Sequence, residues 1–102
     1  MIEVNEVLKR QREWSRKTFG EGRRTEGVCK HIESELAEIR SDPADVKEWV
    51  DVIILAMDGY WRGGGSDLER DLTAKMDKNR ARSFPKPVDE NTPSFHVKGT
   101  HD

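Results

Sequence analysis

The chain has 102 residues, with 20 acidic and 18 basic side chains and a formal net charge of −2. At roughly 100–200 residues per domain that is one domain, and so even a charge balance exerts no general pull on nucleic acid. No apolar run reaches the ~18 residues of a transmembrane helix, the first six residues lack the basic-then-apolar pattern of a signal peptide, and the lone Cys29 suits a reducing, cytoplasmic setting. Leu, Ile, Val and Phe total only 21, so a core of this size is marginal and self-association is expected to add buried area.

Prolines, glycines and helical periodicity divide the chain into four helices and a tail. Residues 3–17 set Val4, Val7, Gln11 and Trp14 at helical spacing, with Thr18 next on the stripe. Phe19-Gly20-Glu21-Gly22 breaks that helix. Thr25 suits the N-cap of a second helix reaching about Arg40. Ser41-Asp42-Pro43 is a turn into a third helix, about 43–61, which Gly63-Gly64-Gly65 ends. Ser66-Asp67-Leu68-Glu69 has the form of a capping box for a fourth, about 67–82. Past Pro85 the apolar content falls, and residues 86–102 are expected to be an extended or disordered tail. The predicted fold class is all-α, an antiparallel four-helix bundle-like domain over residues 1–85, completed by oligomerisation.

The polar residues are more informative than the apolar ones. Val28, Ile32, Leu36 and Ile39 form the apolar stripe of the second helix, and His31, Glu35 and Glu38 flank it. The third helix is apolar over 49–57 except at Asp51, so a central position is predicted for it. Glu48, Asp51 and Asp58 gather on one side of it, and a buried carboxylate there calls for a cation. On the fourth helix Lys75, Asn79 and Arg82 form an i, i+4, i+7 ladder on the face that begins with Leu68 and Leu72. Singly, each feature has a structural explanation: solvated acids, a surface histidine, a basic helix end complementing the dipole. Cys29, Met57 and Met76 read as core residues, and Trp14 as either packing or a base-stacking platform.

Together these features suit a particular chemistry. Residues at i and i+3 share a helix face, so Glu35/Glu38 and Glu48/Asp51 on neighbouring antiparallel helices can converge as four carboxylates. Oxygen ligands without a Cys/His set favour Mg²⁺ or Mn²⁺ over Zn²⁺. Lys75 and Arg82 are candidate phosphate contacts. The implied class is metal-assisted phosphoanhydride hydrolysis, without any Walker-type loop.

Glu35-x-x-Glu38 followed by Glu48-x-x-Asp51 resembles the ExxE…ExxD signature of the MazG-like all-α nucleoside triphosphate pyrophosphohydrolases. Lys75-x-x-x-Asn79-x-x-Arg82-x-x-Pro85 is similar to that superfamily's downstream phosphate-binding stretch. Thr18-Phe19-Gly20, Arg24-Thr25-Glu26-Gly27-Val28, His31-Ile32 and Glu48 to Leu55 further resemble its phage and bacterial dATP/dGTP pyrophosphohydrolase branch, which includes the MazZ enzymes. The likeness covers about residues 11–85. One departure is Ser34, where many members carry a doubled glutamate.

The resemblance implies cleavage of a (d)NTP between the α- and β-phosphates, giving monophosphate and pyrophosphate. It implies a purine deoxynucleotide, dGTP before dATP, feeding 2-aminoadenine nucleotide synthesis in a phage and hence a host-cytoplasmic setting. It also implies a homo-oligomer, dimer or tetramer; the charge balance and the lack of a long apolar run argue separately against a nucleic-acid or membrane partner. In the expected mechanism Glu35, Glu38, Glu48 and Asp51 hold about two or three Mg²⁺ ions that clamp the triphosphate and activate water for in-line attack. Glu38 is the candidate general base, with Glu35 the second catalytic carboxylate. Lys75, Asn79 and Arg82 would meet the phosphates, and Trp14, Thr18 and Phe19 the base and sugar. The alternatives are a pyrophosphohydrolase of the same fold acting on dUTP or another nucleotide, and a non-catalytic helical interaction module. A third, a nucleic-acid module using Arg10, Arg12, Arg16, Lys17, Arg23 and Arg24, is weakened by the acids elsewhere.

Overall fold

The structure, a computed structural model, describes residues 2–99. Four helices follow in chain order: α1 (Val4–Phe19), α2 (Thr25–Ser41), α3 (Val46–Arg62) and α4 (Leu68–Ala81), with no strand among the described residues. The chain divides into two compact units, Met1–Leu68 and Glu69–Asp102.

Within the first unit α3 packs on both α1 and α2. Val28 of α2 lies against Gly59 of α3, and Glu38 beside Glu48, so α2 and α3 run antiparallel. Gln11 meets Asp58 and Ser15 meets Arg62, so α1 and α3 point the same way. That is the up-down-up order which short connections between helices favour. The α1–α2 turn uses Gly20 and Gly22, both at positive φ, and Arg24 caps α2 at φ 47, a backbone region that rarely hosts a non-glycine residue. Pro43 falls ahead of α3, whose N-cap is Asp45, accepting a hydrogen bond from the Lys47 amide. At the other end of α3 the Tyr60 ring lies directly over Gly65, where any Cβ would collide with it, and the Tyr60 hydroxyl accepts from the Asp67 amide.

The apolar core is small: Leu8, Val28, Ile39 and Trp61 are the buried hydrophobic residues. A polar cluster sits among them. Asp58 and Arg62, one turn apart on α3, form an ion pair at 2.8 Å with both side chains inside the fold. Asp58 Oδ1 accepts from Gln11 and from the Trp61 indole. Arg62 donates to Ser15 Oγ and to the carbonyls of Gly20 and Gly22. One guanidinium therefore binds α1, α3 and the turn before α2.

Two expectations are corrected here. α3 touches both neighbours, but the rest of its apolar wheel is uncovered: Val46, Trp49, Val50 and Ile53 are each at least half exposed. The helix is central by contacts and superficial by one face. Cys29 is exposed rather than in the core, because Val28 takes the inward position on α2.

In the second unit α4 has no buried residue, and Leu72 and Met76 are exposed. Residues 86–99 form no helix or strand, yet the segment folds back on itself. The Val97 amide donates to the Ser83 carbonyl, Ser94 donates to the Pro85 carbonyl, and the rings of Phe84 and His96 lie 6.0 Å apart. Residues 100–102 of the expected tail lie outside the described residues.

Burial works to raise the Asp58 pKa, but hydrogen bonds from Ser15, Gln11 and Arg62 and the Arg62 charge outweigh it and hold the carboxyl below its usual value. Its contribution to stability is therefore present above the usual value of 3.8 and is lost as pH falls through the lowered one. Arg62→Ala strips a buried carboxylate of its counter-charge and should cost about 3–5 kcal/mol in urea unfolding at neutral pH. A loss below about 1 kcal/mol, the range of an exposed pair, would contradict the buried-pair account.

Candidate metal and nucleotide site

Where α2 packs on α3, one carboxylate oxygen from each of Glu35, Glu38 and Glu48 lies within 4.8 Å of the other two. The local cause is simple. Glu35 and Glu38 are i, i+3 neighbours on one face of α2, and the short 42–45 connection turns the chain so that the first turn of α3 brings Glu48 alongside.

These are not ordinary surface acids. The Glu35 side chain is only 12% exposed, and its Oε1 lies 3.5 Å from His31 Nε2. Its other oxygen, Oε2, is buried without a hydrogen-bond partner, and so is Oε2 of Glu48. Glu38 is the exposed member. Hydrogen bonding with Glu38 and then with Glu35, helped by burial and by their negative charge, pushes the Glu48 pKa up to about 7. Two buried, unpartnered carboxylate oxygens beside a third acid call for a shared proton or a cation. An all-oxygen donor set suits a hard divalent ion such as Mg²⁺ or Mn²⁺.

Beside this cluster opens a cavity of about 530 Å³. Val7, Arg10, Gln11 and Trp14 of α1 line it with Phe19, His31 and Glu35, and α3 adds Asp51, Ile54, Leu55, Met57 and Asp58. Glu35 thus belongs to both the cluster and the cavity. The Trp14 and Phe19 rings meet edge to face at 5.5 Å, and the Arg24 guanidinium lies 5.1 Å from the centre of the Phe19 ring.

The predicted site residues are distributed as follows. Glu35, Glu38 and Glu48 come together, while Asp51 lies outside that group, one turn along α3, on the cavity wall. Trp14 and Phe19 line the cavity, whereas Thr18 is exposed and its hydroxyl donates to the Trp14 carbonyl at 2.8 Å. Lys75, Asn79 and Arg82 belong to the second unit, where Arg82 donates to Asn79 Oδ1 at 3.1 Å. Sequence reasoning placed Asp58 with Glu48 and Asp51; the structure satisfies it internally through Arg62. Their i, i+4 spacing was the available signal. Gln11, read only as a member of a weak stripe, lines the cavity.

The raised Glu48 pKa has a direct consequence for metal-free protein. A carboxyl that holds its proton more tightly when folded adds stability fully below its ordinary value of 4.5, and that contribution is lost as pH rises through about 7. Glu48→Gln keeps the shape without the charge. In chelator-treated protein it should raise the Tm at about pH 8 and change it little at about pH 4.5, read by scanning calorimetry. An unchanged or lower Tm at the higher pH would contradict this electrostatic account.

Residues 7–102 match the family model described as dATP/dGTP pyrophosphohydrolase. Among solved structures, the chain is similar to a cyanophage S-2L MazG-like pyrophosphohydrolase bound to dGDP and three catalytic Mn²⁺ ions per active site. The two are 26% identical with a TM-score of 0.77, over 98% of this chain and 97% of that one. No curated protein sequence matches. Four helices in the MazG-like all-α arrangement, an acidic cluster beside an aromatic-walled cavity, and a family match over nearly the whole length lead to one assignment: the chain belongs to the dATP/dGTP pyrophosphohydrolase family.

Proposed function

We propose that the protein hydrolyses a purine deoxynucleoside triphosphate, dGTP before dATP, to the monophosphate and pyrophosphate, using divalent metal held at Glu35, Glu38 and Glu48. The observation that carries the reading is the pair of buried, unpartnered oxygens on Glu35 and Glu48 beside Glu38. The neighbour's Mn²⁺ ions and bound dGDP support it. A divalent ion there supplies charge neutralisation on the phosphates and lowers the pKa of an attacking water.

The chain's own residues divide the remaining work. Glu35 and Glu48, each with one enclosed oxygen, are the inner proposed ligands. Glu38, exposed at the edge of the cluster, is the proposed general base, in reach of solvent. Asp51, on the cavity wall a turn from Glu48, is the proposed fourth ligand, which suits a site for more than one ion. Trp14 and Phe19 offer ring faces to the base, with Thr18 nearby in sequence for the sugar. Lys75, Asn79 and Arg82 are proposed phosphate contacts on the strength of their sequence pattern. Mg²⁺ is the proposed physiological ion. The half-exposed face of Val46, Trp49, Val50 and Ile53, with the small core, supports a homo-oligomer, dimer or tetramer. Feeding 2-aminoadenine nucleotide synthesis in a phage host's cytoplasm is the proposed setting. No helix of the described residues is long and apolar enough to cross a membrane.

The test is chromatographic product analysis with dGTP, dATP, dCTP, dTTP, dUTP and GTP, with Mg²⁺ or chelator. The expected result is metal-dependent monophosphate plus pyrophosphate with no diphosphate, fastest with dGTP. Glu38→Gln should lower kcat by roughly 10²–10⁴-fold while the protein stays folded. Lys75→Ala and Arg82→Ala should act mainly on KM. Wild-type rates in Glu38→Gln would remove it as the base. No turnover of any nucleotide by folded wild type would favour the interaction-module alternative.

A further inference from the structure

Gln11 lines the cavity one turn before Trp14 on α1. Its amide is held at both ends. Nε2 donates to Asp58 Oδ1 at 3.0 Å, and Oε1 accepts from the Trp61 indole at 2.8 Å. An indole N–H only donates and an ionised carboxylate only accepts, so turning the amide over would lose both bonds. The holders are themselves held, since Arg62 Nε binds the other Asp58 oxygen at 2.8 Å and Arg62 Nη2 reaches Ser15.

The lock leaves the amide with capacity to spare. Nε2 has a second hydrogen, and Oε1 a second lone pair. Trp14 beside it supplies a ring face, and a flat surface flanked by an oriented donor is how proteins bind a nucleobase outside a helix: the ring stacks and the edge is hydrogen-bonded. The wall carries the acids Glu35, Asp51 and Asp58, the last already satisfied by Arg62, and the rings of Trp14 and Phe19, which suit the uncharged portion of a nucleotide. Purines carry ring-edge acceptors, N7 in both and O6 in guanine, that a glutamine N–H can meet.

We infer that Gln11 is the specificity-determining residue of the cavity, its locked amide donating Nε2–H to an acceptor on the edge of a purine, with Asp58 and Trp61 as the positioning residues that fix which end of the amide faces the base. This rests on the pyrophosphohydrolase reading above. It adds to that reading the residue that selects the base.

The experiment measures kcat/KM with Mg²⁺ for dGTP, for 7-deaza-dGTP (N7 removed) and for the 2-aminopurine deoxynucleoside triphosphate (O6 removed, together with the N1–H), in wild type, Gln11→Met and Trp61→Phe. Wild type should disfavour at least one acceptor-deleted analogue by roughly tenfold, the size of one neutral hydrogen bond. Gln11→Met, which fills the same volume without the amide, should treat dGTP and that analogue alike. Trp61→Phe keeps the ring and the Nε2–Asp58 bond but loses the bond that holds Oε1, so discrimination should weaken, though less than in Gln11→Met. A merely structural role would lower all substrates by one common factor and leave the ratios as in wild type; that result overturns the inference. Wild type that handles both analogues as well as dGTP overturns it without any variant having to fold. Wild type that turns over no nucleotide at all would instead overturn the pyrophosphohydrolase reading beneath it.

Discussion

The ion pair between Asp58 and Arg62 holds the first unit together. With so few hydrophobic side chains buried, three segments are joined instead by polar bonds that converge on one guanidinium and one carboxylate. Such a pair is a weak source of net stability compared with well-packed hydrophobic residues, because desolvating two charges is expensive. Its value lies in geometry. It sets α1 against α3, closes the Gly20–Gly22 turn, and fixes the orientation of the Trp61 indole and the Gln11 amide on the cavity wall.

The same helix carries the opposite arrangement two to three turns earlier. Glu48 meets Glu35 and Glu38, and among the described residues of the first unit the basic side chain beside them is His31, 3.5 Å from Glu35. One acid of α3 is satisfied from within, and another keeps an oxygen without a partner. That contrast, more than burial, distinguishes the two: Asp58 is buried and fully bonded, whereas half-buried Glu48 keeps one enclosed oxygen without a partner. It also underlies the loss of stability expected of the metal-free fold as pH rises through about 7. Helix packing holds these like charges together, so in the proposed metal site the ligands would already be assembled and less ordering would oppose binding.

Much of this was legible in the residues. Glycines and prolines marked the helix ends because they restrict or free the backbone, and the i, i+3 spacing of Glu35/Glu38 put both acids on one face whatever the tertiary structure. What spacing does not encode is the depth at which a side chain lands when helices pack. It grouped Asp58 with Glu48 and Asp51, although Arg62 stood one turn away as its partner. It made α3 central from its apolar wheel, whereas that wheel serves two surfaces, one against α1 and α2 and one exposed at Trp49, Val50 and Ile53. Gln11 looked like a defect in a weak stripe, because the partners that give it meaning lie 47 and 50 residues away.

The central claim is that the carboxylates of α2 and α3 form a divalent-metal centre. Its most direct test is a crystal structure of the protein soaked in Mn²⁺, with anomalous scattering collected at the manganese edge. The account predicts anomalous density bounded by Glu35, Glu38 and Glu48, with ligand distances near 2.2 Å, typical of oxygen donors, and loss of that density in Glu48→Gln. Ordered protein with all three carboxylates in place and no density among them would contradict it.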